Sequence, residues 1–263
     1  MSRVESPSSI NTYKQCPRKY YYRYIEALPS FPSIHLIRGK IVHTVLEDFF
    51  DIDAKISSED ALRLHLFWLF EKIWNDNYEE LSELKLGDSK LKFYYNESKE
   101  MLQNWFKRFQ KKFRNQLDDS KTFTQAFEHL TPTREKEFVS KKHNVRGFID
   151  VLFENNTKVV ILDYKTSKRA HMTPEYRLQL GIYAMMYEEA HGVKPDLVGV
   201  DFLKHNEFLL PVDDALVDEA RTEVDKIHTK TVSKEKVDYP QQTSPLCKWS
   251  TGQCDYYKQC FEE

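Results

Sequence analysis

Apolar residues dominate two neighbouring stretches, Val145 to Phe153 and Lys158 to Thr166, with the turn signal Glu154-Asn155-Asn156 between them. That pattern predicts a β-hairpin. Side chains alternate faces along a strand, so Val159, Ile161, Asp163 and Lys165 share one side of the second strand, and Val160, Leu162 and Tyr164 the other. An acid and a lysine therefore project together from the end of an apolar strand. Asp150 sits among Phe148, Ile149, Val151 and Leu152, where an uncompensated carboxylate costs roughly several kcal/mol. Two acids in apolar strands beside one lysine suggest a divalent-metal site.

Away from the hairpin the periodicity is helical over most of the first half. Ser8 or Ser9 is placed to cap a helical segment from Ile10 to Ile25, which Pro17 punctuates as the start of a new turn. Ile41, Val42, Val45, Leu46, Phe49 and Phe50 repeat at helical spacing within Ile37 to Phe50, predicting a buried helix. The region from Ser57 to Phe127 reads as charged-faced helices, a helical insertion. From Thr133 the pattern switches to alternation. After the hairpin it gives a helix over Pro174 to Ala190, strands at Leu197 to Leu203 and Phe208 to Pro211, and a long helix over Asp213 to Thr231. Strands alternating with helices predict an α/β core with a mixed sheet. Four segments follow as one integrated domain: 1–30, 31–131 with the helices, 132–236 as the core, and a polar tail over 237–263.

Composition narrows the class. The 263 residues are 40% hydrophobic and 30% charged, with 7 Gly and 10 Pro, the balance of an ordered globular protein. No apolar run reaches the roughly 20 residues of a membrane span. The opening MSRVESPSSINTYKQC lacks an apolar signal core, which argues for the cytosol, or the host cytosol for a viral gene. At a net charge of −2, binding to a polyanion requires local basic clusters. These occur at Lys14, Arg18, Lys19 and Arg23, at Lys107 to Arg114, at Lys141 and Lys142, and at Lys165, Lys168 and Arg169. Each is also the composition of a solvated face.

Further chemistry lies outside the hairpin. His43 and Glu47 are four apart on one helix face beside the apolar stripe. Glu137, on the first strand, is a candidate auxiliary acid. The four cysteines fall at Cys16, Cys247, Cys254 and Cys260, three of them within the polar tail. In a reducing compartment four thiols read as metal or redox ligands rather than two disulfides.

Gly147-Phe148-Ile149-Asp150, Ile161-Leu162-Asp163-Tyr164-Lys165-Thr166, and Gln179 with Tyr183 at i,i+4 resemble, in order, the G-x-x-D, D-x-K-T and Q-x-x-x-Y motifs of the RecB-like branch of the PD-(D/E)XK nucleases. Gly39-x-x-x-His43-x-x-Leu46-Glu47 is similar to that family's first motif, and Tyr13-x-x-Cys16-Pro17-Arg18-Lys19 to the opening of members that carry an iron–sulfur cluster. The resemblance covers most of the chain and includes the CRISPR-associated adaptation nucleases and AddB-type exonucleases. It implies a restriction-endonuclease-like core, with Mn²⁺ or Mg²⁺ held by His43, Asp150, Asp163 and the Tyr164 carbonyl. Lys165 is implied as the catalytic lysine, with Gln179 and Tyr183 beside the site; among the basic clusters, Arg18, Lys19, Lys168 and Arg169 are the candidate nucleic-acid contacts. The four cysteines are implied to ligate a [4Fe–4S] cluster, with zinc as the alternative. The tail departs from the family's C-x2-C-x5-C: it reads Cys247-x6-Cys254-x5-Cys260, four residues longer between the first two ligands. The expected activity is metal-dependent hydrolysis of DNA, as a single-strand exonuclease in repair, recombination, replication or CRISPR adaptation, with protein partners in such a complex. The rival readings are a non-catalytic DNA-binding scaffold and a cysteine-based redox or zinc module, the second of which leaves Asp150, Asp163 and Lys165 unexplained.

Overall fold

The protein is described by a computed structural model covering residues 3–52, 57–155, 158–249 and 252–262. Asn156, part of the expected hairpin turn, lies outside the described residues.

Helix α1 (Pro7–Gln15) begins at Ser6, whose hydroxyl accepts from the Ser9 N–H while Ser9 Oγ accepts from the Ser6 N–H. The cap is therefore Ser6, and Ser9 closes a capping box from inside the helix. The expected single segment to Ile25 is broken at Cys16, which is extended (φ −164°, ψ 110°). A residue before proline is excluded from helical backbone, and Pro17 then starts α2 (Pro17–Tyr20), which runs into a π-helical turn at Tyr21–Ile25. Ser33 caps α3 (Ile34–Asp48). The helical region comprises α4 (Glu59–Asp76), α5 (Tyr78–Glu83), the long α6 (Asp88–Asp118) and α7 (Phe123–Leu130).

The strands are β1 (Thr133–Ser140), β2 (Val145–Asn155), β3 (Lys158–Lys165), β4 (Leu197–Phe202) and β5 (Glu207–Pro211), and they pair in sequence order. Only the β3–β4 pair among them is parallel. A parallel pair needs a crossover, supplied by α8 (Pro174–His191), whose Thr173 cap and Pro174 give it a sharp start. Helix α9 (Asp214–Lys230) packs on α8. The result is a mixed five-stranded sheet flanked by helices.

The two faces of β3 separate as alternation requires. Ile161 joins a core with Ile10, Leu180, Met186 and Val224, on the α1, α8 and α9 side. Leu162 and Tyr164 join a second core with Val45, Phe70 and Phe106, on the α3, α4 and α6 side. Gly199 sits where an added Cβ would lie 2.5 Å from the Phe208 carbonyl oxygen, so β4 and β5 can approach only with glycine there. Among the described residues no helix is long and apolar enough to cross a membrane.

The tail returns to the N-terminal segment. Arg18 Nε donates to the Tyr239 carbonyl at 2.7 Å, Tyr22 Oη to the Gln259 carbonyl at 2.8 Å and Tyr256 Oη to the Leu28 carbonyl at 3.2 Å. Two short strands, β6 (Lys248–Trp249) and β7 (Gly252–Gln253), precede α10 (Tyr257–Phe261).

Candidate active site

The site forms where β2 and β3 part. Their ladder ends at the pair Val151–Leu162, and beyond it the Tyr164 N–H donates to Asp150 Oδ2 at 2.7 Å instead of to a strand carbonyl. Strict alternation also fails here. Ile149 and Leu152 pack in one core and Val151 in the other, so the chain turns over at Asp150. On the other side, Glu135 falls between the pairs Arg134–Val151 and Lys136–Ile149, opposite Asp150, with a left-handed backbone of φ 46°. A left-handed glutamate inside a strand is strained by roughly 1–3 kcal/mol, and it turns this carboxylate toward Asp150. Gly147 lets α8 close down: an added Cβ would lie 3.0 Å from Met186 and 3.3 Å from Tyr183.

Helix α3 brings His43 to the same place. His43 Nδ1 lies 3.4 Å from Asp150 Oδ2, and its ring meets Tyr164 edge-on at 5.9 Å. One ligand atom each from His43, Glu135 and Asp150 lies within 4.8 Å of the others. Asp163, 3% exposed, lies beneath: Lys165 Nζ is 2.5 Å from one of its oxygens and Gln179 Nε2 donates to the other at 2.8 Å. Gln179 also donates to Tyr183 Oη at 2.8 Å. An open cleft of about 500 Å³ lies above these groups, lined by His43, Glu47, Glu135, Asp150, Tyr164 and Lys165 among others.

The electrostatics describe crowded negative charge. Burial, then the Asp163 charge, pushes Asp150 up to about 7. Burial and then Asp150 push Glu135 up to about 7 as well. Burial lowers His43, leaving it neutral, the form that binds metals. Burial also works against the charged Lys165, but Asp163 outweighs it and the net shift is upward, so the ammonium persists. Two carboxylates that resist ionising together, beside a neutral imidazole, are a donor set a divalent cation would satisfy.

The sequence-predicted residues His43, Asp150, Asp163, Tyr164, Lys165, Gln179 and Tyr183 are thus brought into one constellation. Glu137 is not part of it. It points to solvent, and the acid that enters the cleft is Glu135. Lys168 and Arg169 lie exposed just beyond β3, near the cleft. Arg18 and Lys19 lie elsewhere, in the cysteine region: Arg18 is held by the Tyr239 carbonyl, and Lys19 donates to Gln15 at 3.2 Å. In the basic stretch of α6, Arg108 pairs with Asp201, Lys112 with Glu207 and Arg114 with Glu59, so much of its charge is internally neutralised.

Cys16, Cys247, Cys254 and Cys260 are free thiols that line a single cavity. Between Cys247 and Cys254, Lys248–Trp249 and Gly252–Gln253 form the β6–β7 pair, and the Cys254 N–H donates to the Cys247 carbonyl at 2.9 Å, placing these two cysteines across the base of that pair. Cys260 follows on α10. Burial, then the neighbouring Cys16 and Cys254, pushes the Cys260 thiol up to about 11, and burial raises Cys254. Thiols that raise one another's pKa gain most from a shared cation, and four cysteines around one cavity suit either zinc or an iron–sulfur cluster.

A model of the PD-(D/E)XK nuclease superfamily matches residues 5–261. No curated protein matches. A crystal structure of a protein from Eubacterium rectale, described as a candidate exonuclease, is similar with a TM-score of 0.55 at 13% identity, over 94% of this chain and 86% of that one. A second solved structure, SSO0001, overlaps 73% of this chain and 86% of its own at 11% identity, with a TM-score of 0.28.

Proposed function

The chain belongs to the PD-(D/E)XK nuclease superfamily, whose restriction-endonuclease-like α/β fold it has, and from that premise we propose that it is a metal-dependent deoxyribonuclease that degrades single-stranded DNA from an end. The observation that carries the metal-dependent reading is the convergence of His43, Glu135 and Asp150 over the Asp163–Lys165 pair. His43, Asp150, Asp163 and the Tyr164 carbonyl hold Mn²⁺ or Mg²⁺, and Glu135 joins them. An imidazole in the set tips the preference toward Mn²⁺.

The bound ion supplies an activated water and neutralises charge on the phosphate and the leaving oxygen. The chain supplies the rest. Lys165, kept protonated by Asp163, orients the attacking water and stabilises the charge that builds on the phosphate. Gln179 and Tyr183 fix Asp163 so that its carboxylate does not turn away from the site. Lys168 and Arg169, exposed beside the cleft, attract the strand. Single strands suit this surface because local basic groups and aromatics on a near-neutral protein favour threading over tight duplex binding. The same chemistry serves repair, recombination, replication or CRISPR adaptation.

Apart from the acidic cleft, Cys16, Cys247, Cys254 and Cys260 hold a [4Fe–4S] cluster, with zinc the alternative occupant, tying the first helices to the tail. A cytosolic location keeps such thiols reduced.

The test is digestion of end-labelled linear and circular DNA, single- and double-stranded, with Mn²⁺, Mg²⁺ or EDTA. Linear single strands should be degraded only with a divalent ion. Rapid cutting of circular single strands would remove the end requirement, and no hydrolysis under any condition would overturn the enzyme reading.

A further inference from the structure

A second groove, of about 490 Å³, opens beside the cleft and shares His35, Lys165 and Thr166 with it. This is within the size range of small-ligand sites. Its floor is cationic. Buried Arg38 donates to the Thr166 carbonyl at 3.2 Å, and both Arg38 and Lys204 pair with Glu97, while Lys168 lies exposed at the rim. Besides Lys165, which pairs with Asp163, three cations therefore line the groove against one acid, Glu97. Burial, then Arg38 and Lys168, lowers Lys204 to about 8, against the opposing charge of Glu100.

The wall is aromatic. Phe93, 58% exposed, meets Tyr94 edge-on at 5.2 Å, and Tyr94 stands over the Arg38 guanidinium at 5.6 Å. Tyr176 lies 5.4 Å from Lys165 Nζ at the catalytic end. A lone exposed phenylalanine is ordinary on a protein surface. Phe93 differs because excess positive charge lies beside it and the same groove runs into Lys165.

We propose that this groove seats the unpaired nucleotide next to the scissile phosphate, its base lying against Phe93 and Tyr94 and its phosphate drawn to Lys168 and Lys204. This rests on the nuclease reading and adds to it the element that selects unpaired strands. A base inside a duplex has both faces covered by its neighbours, so only an unpaired one can offer a face to the ring. A phosphate would also give Lys204 and Lys168 the anion that Glu97 alone does not supply. Neither Phe93 nor Lys204 belongs to the motifs of the hydrolytic site, and both come from elements outside the hairpin: α6 and the turn after β4.

The experiment measures binding without turnover. Full-length Asp163→Asn protein is titrated against single-stranded oligonucleotides carrying 2-aminopurine at successive positions from one end, since stacking quenches its fluorescence. Quenching should concentrate at one position. Adding Phe93→Ala should abolish that quench and weaken binding about 10-fold, the scale of one lost base–aromatic stack, while Phe93→Trp should keep both. Lys204→Gln should lower the salt slope of binding by about one. Phe93 is largely exposed, so an unchanged melting temperature separates lost stacking from misfolding. Affinity and quench unchanged in Phe93→Ala, or no position-specific quench at all, would overturn the groove. Wild-type protein that binds and stacks the strand but never hydrolyses it would sink the nuclease reading alone.

Discussion

The Gln179 side-chain amide donates to Asp163 Oδ1 at 2.8 Å, across from Lys165, which lies 2.5 Å from Oδ2. The acid is therefore gripped from α8 on one side and by its own strand on the other. This arrangement makes its orientation a property of the packing between helix and sheet, and it separates residues that bear charge at the site from those that hold them in place.

Asp150→Ala and Asp163→Ala should each abolish hydrolysis, because each removes a charged ligand from a site with few others. Lys165→Ala should spare Mn²⁺ binding and lower the chemical rate by ~10²-fold, the scale of a lost transition-state donor. Isothermal titration with Mn²⁺ and single-turnover cleavage separate the two effects. Full activity in Asp163→Ala would remove it from the mechanism.

Glu135→Gln should weaken Mn²⁺ binding by about 10-fold or more, whereas Glu137→Gln should change nothing. The two glutamates are two residues apart, and ordinary alternation would put them on one face. They separate because Glu135 adopts φ 46° opposite Asp150, while Glu137 stays in solvent. Equal losses in the two variants would show that the effect is general acidity near the sheet and not ligation.

In the metal-free protein, Asp150 and Glu135 titrate near 7, above their ordinary values of 3.8 and 4.5. Acids raised by folding bind more protons folded than unfolded, so their contribution is fully present below about pH 4. It is lost as pH rises through about 7. Asp150→Asn removes that loss while leaving an oxygen for the Tyr164 N–H. In EDTA the variant should be more stable than wild type at pH 8, by an amount on the order of a few kcal/mol, and no more stable at pH 4. With Mn²⁺ present the order at pH 8 should reverse, since the ion needs the charged carboxylate. Thermal melts at pH 4 and pH 8 check this, and a variant advantage that grows toward low pH would contradict it.

Much of this site was legible because its parts sit on regular elements. The i,i+4 spacing of Gln179 and Tyr183 and the alternation along β3 foretold which side chains would meet. What alternation could not supply was register and its local failure. Residues 141–144 close the β1–β2 turn, with Ser140 opposite Val145, and counting back from that pair sets Glu135 against Asp150. No periodicity in the sequence marks the chain turning over at Asp150 or the left-handed backbone at Glu135. Arg38, Glu97 and Lys204 were hidden for another reason: they meet only through tertiary packing of α3, α6 and the loop after β4. The cap moved from Ser8 or Ser9 to Ser6 because the proline at position 7 suits the first helical turn.

Six residues separate Cys247 from Cys254. Four added residues would separate two ligands if they formed an open loop. They are absorbed by the β6–β7 pair, with Lys248 opposite Gln253, so that Cys247 and Cys254 flank the next position across the hairpin and share a backbone hydrogen bond. Trp249 covers Gly252, where an added Cβ would lie 3.0 Å from the indole. Gly252→Val should therefore disturb the hairpin and weaken metal retention without touching a ligand. Joining Cys16 to Cys247 through a metal centre closes a very long loop, which restricts the unfolded chain strongly and should stabilise the whole protein and not only the tail. Anaerobically purified protein should be brown, and Cys16→Ala should bleach it and lower the melting temperature while Asp163→Ala leaves the colour intact. Colourless protein with one equivalent of zinc would replace the cluster by zinc, and protein free of both would end the metal reading of the cysteines without affecting the acids of β2 and β3.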